Sequence, residues 1–63
     1  MDEEIGLIYE ELFLSGSCII GKRRKDGRWD AKTYRILNGL REIAEREGRI
    51  VEFNKDDGSV EFG

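Results

Sequence analysis

The dipeptide Asp-Gly occurs twice in this chain, at Asp26-Gly27 and Asp57-Gly58, with a separation of 31 residues. Asp-Gly suits the positive φ values of a tight hairpin turn, so each copy marks a place where an extended chain reverses. At that same offset Ile5 aligns with Ile36, Glu11 with Glu42 and Ile19 with Ile50, while Leu12 meets Ile43, Ile20 meets Val51 and Trp29 meets Val60. So few identities carry no case for duplication, but they do guide the fold: helix–strand–strand, twice over.

The first helix begins at the N-terminus. Asp2 is placed to cap it, and an acidic first turn suits the helix dipole. Ile5, Ile8, Tyr9 and Leu12 recur at helical spacing, and Phe13 widens that face. Gly16 is a good residue for the left-handed position after a helix, so the helix ends near Leu14 or Ser15. Leu7 and Leu14 lie on the far side from Ile5 and Leu12. A helix apolar on two faces is usually covered on both. Here the second cover is either another subunit or partner, or the protein's own sheet or a neighbouring loop.

Residues 17–20 have strand character, with Ile19 and Ile20 β-branched. The turn at Lys25-Asp26-Gly27-Arg28 pairs residues 18–24 with Arg28 and Trp29 as a short hairpin. Asp30 then caps a second helix whose core face reads Thr33, Ile36, Leu37, Leu40, Ile43 and Ala44. Arg41/Glu45 and Glu42/Arg46 stand at i,i+4 on its exposed side. Gly39 within it points to close packing or to a weakened helix, and Gly48 ends it. Residues 49–54 and 59–62 flank the second turn and form the clearest hairpin of the chain.

The fold expected is α+β, one small domain over residues 1–63: two amphipathic helices packed on a small antiparallel sheet of two β-hairpins. The alternative is a winged-helix-like fold with residues 50–62 as the wing. It requires two short helices joined by a turn before the wing, where the pattern shows one long helix after a basic, glycine-containing turn.

Composition narrows the function. A chain of 63 residues buries only about 60% of its unfolded surface, and one in which 40% of residues are charged has a marginal core. Such domains often gain stability by forming oligomers, and a homo-oligomer is expected here. One cysteine rules out an internal disulfide. With no histidine as well, zinc, iron–sulfur and haem sites and the Ser-His and Cys-His nucleophile pairs are all excluded. No constellation of nucleophile, base and electrophile is visible, so no enzyme, metal or cofactor is expected. No apolar run approaches the roughly 20 residues a membrane helix needs. The acidic Asp2-Glu3-Glu4 start is unlike a signal or transit peptide, so a cytoplasmic protein is expected.

Charge is unevenly spread. Residues 1–21 carry five acids and no base; residues 36–63 carry a net −3; between them residues 22–35 hold seven bases against two acids, a net +5. Within this block Lys22, Arg23, Arg24, Lys25 and Arg28 surround the first turn. Arginine forks match phosphate geometry, and Trp29, with Tyr34, can stack on a base. The competing view is a solvated hairpin whose cations answer the acidic blocks, with Trp29 in the core. Asp56 and Asp57 are better explained by turn chemistry than as cation ligands, because their spacing is wrong for a calcium loop. Cys18 reads as a small core hydrophobe, with a redox-sensitive thiol near the basic run as the lesser reading.

Two functions follow as expectations. The first is a small nucleic-acid-binding regulator that contacts phosphates through Lys22, Arg23, Arg24, Lys25 and Arg28, with Trp29 stacking or bracing. The second is a protein-interaction module (an adaptor, inhibitor or antitoxin-like component) that uses the Leu7/Leu14 face.

Overall fold

The computed structural model describes residues 3–63. In chain order the elements are α1 (Glu3–Ser15), β1 (Ser17–Ile19), α2 (Ala31–Arg46), β2 (Val51–Asn54) and β3 (Ser59–Phe62). The capping role expected of Asp2 lies outside the described residues. Gly16 closes α1 in the left-handed region at φ 85°, its amide donating to the Leu12 carbonyl at 2.9 Å. Asp30 caps α2 and accepts from the Lys32 amide, and Gly48 follows the helix at φ 72°.

The protein is α+β, with two helices and one three-stranded antiparallel sheet in the order β1–β3–β2. β2 and β3 form the expected hairpin, with Phe53 opposite Val60 and Glu52 opposite Glu61. The first hairpin does not form. Only Ser17–Ile19 of that region is strand, and it pairs with β3, Cys18 opposite Val60, rather than with Arg28 and Trp29. A lone bridge between Arg23 and Trp29 is all that remains of it. Two hairpins, and helix–strand–strand repeated, are therefore corrected to three strands and one hairpin.

The reason lies in the flanks. Ile20 is buried and its amide still donates to the Gly58 carbonyl at 2.9 Å, so the chain follows the sheet that far. Gly21 then lies so close to Thr33 of α2 that an added Cβ would overlap the Thr33 side chain. Beyond it residues 22–25 are all basic, with no apolar face to lay on the core. The winged-helix-like alternative lacks its two short helices: residues 21–30 hold a turn, and α2 is a single helix of 16 residues.

The core joins Ile5, Tyr9 and Leu12 of α1, Ile20 just after β1, Ile36, Leu37, Leu40 and Ala44 of α2, and Val51 and Val60 of the sheet. Leu12, Leu40 and Val60 are fully enclosed, each contributing about 1.5–3 kcal/mol by burial. Gly39 marks the approach of the helices, since a Cβ there would lie 2.6 Å from Ile5 Cδ1. Close packing, at a cost of about 1 kcal/mol in helix propensity, thus accounts for that glycine. A second cluster ties the ends of the chain together. The Tyr9 hydroxyl donates to Glu47 at 2.5 Å, its ring meets Phe62 edge-on, and Arg49 lies over both Phe13 and Phe62. Burial, with the Glu47 carboxylate beside it, holds the Tyr9 phenol above its ordinary pKa.

Candidate nucleic-acid interface

The basic segment is a compact loop. The Arg24 amide donates to the Arg28 carbonyl at 2.8 Å, and the Gly27 amide to the Arg24 carbonyl at 2.9 Å. Asp26 accepts from the Arg28 amide at 3.0 Å, and Gly27 takes φ 82°. The local chemistry of the turn therefore operates without flanking strands.

Two side chains fasten this loop to the sheet. Trp29 is half-buried, its ring 5.2 Å from Phe53 in an edge-on contact and lying over Gly58, where an added Cβ would meet the ring. Arg23 lies 5.5 Å from the Trp29 ring centre and donates to the carbonyl of Lys55 in the second turn. Arg23 and Trp29 are thus bracing residues. A Trp29 ring held by Phe53 and Gly58 has one part left for solvent and is not a free stacking platform.

Lys22, Arg24, Lys25 and Arg28 differ. All four are exposed, and none forms an ion pair among the described residues. The acidic blocks are answered elsewhere, by Lys32–Glu4 at 3.5 Å, Arg46–Glu42 at 3.4 Å and Arg49–Glu47 at 3.9 Å. The view that the loop cations neutralise nearby carboxylates finds no such contact here. Other surfaces have the opposite sign. The outer side of α1 presents Glu3, Glu4, Glu10 and Glu11, and the outer face of the sheet sets Glu52 directly against Glu61. The tip of the β2–β3 hairpin carries Asp56 and Asp57. Asp57 accepts from both the hydroxyl and the amide of Ser59, which lowers its pKa below the ordinary carboxylate value.

No family model, curated protein or solved structure matches this chain.

The Leu7/Leu14 face resolves differently from one of its two expected covers. Neither the sheet nor a loop shields it: Leu7 is 64% exposed and Leu14 79%. Cys18 is a partly buried thiol packed against the core. Burial, and then the nearby Glu11 carboxylate, raise its pKa. The basic loop does not activate it, so the redox reading loses its premise. Among the described residues no three His, Cys, Asp or Glu side chains gather as a metal site, and no helix is long and apolar enough to cross a membrane.

Sequence reasoning named Tyr34 and Arg41 but overlooked Asn38, which joins them on the solvent face of α2. Tyr34, Asn38 and Arg41 stand on it at i, i+4 and i+7, all exposed. The signal that could have joined the three is the lack of any carboxylate from residue 31 to residue 41 in an otherwise acidic chain.

Proposed function

We propose that this protein is a small, non-enzymatic nucleic-acid-binding regulator that grips phosphates through the loop between β1 and α2. One observation carries the reading. Lys22, Arg24, Lys25 and Arg28 stand in solvent with no ion-pair partner among the described residues, on a loop braced by Arg23 and Trp29, while α1 and the sheet present carboxylates. A fixed cationic loop on an acidic body attracts a polyanion and orients it at one end. Counterion release from four phosphates gives a log–log salt slope of about −3.6 on duplex DNA.

The test is anisotropy of labelled duplex DNA, single-stranded DNA and RNA from about 50 to 200 mM salt. Arg24→Glu with Lys25→Glu is expected to weaken binding about tenfold or more at low salt and to leave the unfolding midpoint unchanged. Binding indifferent to that double reversal would overturn the proposal.

A second reading rests on the exposed Leu7/Leu14 face, which suits a protein partner or a second copy of this chain. Leu7→Glu with Leu14→Glu separates the two. It abolishes self-association or partner capture if that face is the working surface, and leaves nucleic-acid affinity intact if the loop is.

A further inference from the structure

The loop supplies charge but little that could read a sequence, and the helix that follows it supplies what the loop lacks. On α2, Tyr34, Asn38 and Arg41 form one stripe along the solvent face. At 1.5 Å rise per residue the stripe is about 10 Å long, comparable to the roughly 12 Å width of the B-DNA major groove. Arg41 does not pair with Glu45, the partner that i,i+4 spacing offers, although Glu42 and Arg46 on the same helix do pair. Asn38 is exposed and makes no side-chain hydrogen bond among the described residues. These are the side-chain types that bond adenine and guanine edges in two-pronged fashion.

Charge fixes the direction of approach. Residues 22–41 hold eight bases against Asp26 and Asp30, a net +6, whereas Glu42 and Glu45 begin the acidic half of the same helix. A polyanion is drawn to the loop and the first turns of α2 and repelled from the helix's far end. We infer that α2 enters the major groove of double-stranded DNA by its solvent face, with Asn38 and Arg41 near the middle of the helix reading base edges while the loop holds the flanking phosphates. This rests on the nucleic-acid reading above and names its substrate class. Single strands offer no groove, and the major groove of duplex RNA is too deep and narrow for side chains to read.

The experiment selects bound sequences from a randomised DNA duplex pool with the full chain, then compares Asn38→Ala and Arg41→Ala. Both residues are exposed, and alanine favours helix, so folding is retained and circular dichroism verifies it. Wild type is expected to enrich a short motif, and each variant to lose about tenfold in the affinity ratio of that motif over a scrambled duplex. Binding to the scrambled duplex should fall far less for Asn38→Ala. An Arg24→Ala, Lys25→Ala double variant should weaken both duplexes alike. Retention of the same motif by both α2 variants, or equal affinity for single strand and duplex, would overturn the inference and leave phosphate binding by the loop standing. No binding to any nucleic acid would overturn both.

Discussion

The two Asp-Gly turns share an Asp cap and a left-handed glycine and sit in opposite surroundings. Asp26 accepts from the amide of Arg28 two residues on, and Asp57 accepts from the amide of Ser59 in the same way. Gly27 and Gly58 take φ 82° and 74°. Yet one turn joins the central strand β3 to the edge strand β2 in a hairpin, and the other closes a loop held by one bridge. The flanks decide. Val51, Phe53, Val60 and Phe62 alternate with polar residues and lay one face on the helices. Residues 22–25 have nothing to lay there. A turn signal reverses a chain, but only an apolar face makes the reversed arms into strands. The failed hairpin is also the part whose cations remain available, so loss of sheet and gain of a charged surface have the same origin.

The largest expected effect tests whether the second turn is constrained by its neighbours as well as by its dihedral angles. Gly58→Ala adds left-handed strain to a clash with the Gly21 carbonyl and the Trp29 ring, and should cost about 3 kcal/mol in urea unfolding. Trp29→Ala comes next, at about 2 kcal/mol, because the ring is only half-buried. Hydrogen exchange at the Arg24 amide should then accelerate, as the loop loses its hold on Phe53. Gly27→Ala meets open space, so only the dihedral strain remains, about 1 kcal/mol. Equal losses at Gly27 and Gly58 would erase the distinction between the turns.

The smallest effect is in acid. Because the folded pKa of Asp57 lies below its ordinary 3.8, its contribution is complete above that value and disappears as pH falls through the folded one. The urea midpoint of wild type should therefore fall as the pH drops below 3.8, and Asp57→Asn should flatten that decline.

Much of the fold was legible because it is local. The face Thr33, Ile36, Leu37, Leu40, Ile43 and Ala44 has helical period, Asp30 and Gly48 bracket it, and all are buried except Ile43, which is half-buried. The 51–62 hairpin follows from alternation and its turn. The partner of β1 was not legible. Residues 17–20 carry apolar groups suited to a sheet but no mark of which strand they join, and the nearest turn pointed to the wrong one. The site was legible in its charge and not in its division of labour. Four bases in a row, Lys22 to Lys25, look equivalent until Arg23 reaches the Lys55 carbonyl across the fold. Asn38 was overlooked because a polar residue on a helix's solvent face is the commonest thing in such a pattern.

The amino-acid order alone determined where the chain turns, where both helices stop and how charge is divided along it, since these depend on neighbours within a few residues. Only tertiary structure decided that β1 joins β3, that Trp29 braces the loop, that Leu7 and Leu14 stay uncovered and that four loop cations find no ion-pair partner among the described residues. Strand pairing and burial depend on which distant surfaces meet, and in a domain this small a single apolar face is enough to claim one strand and release another.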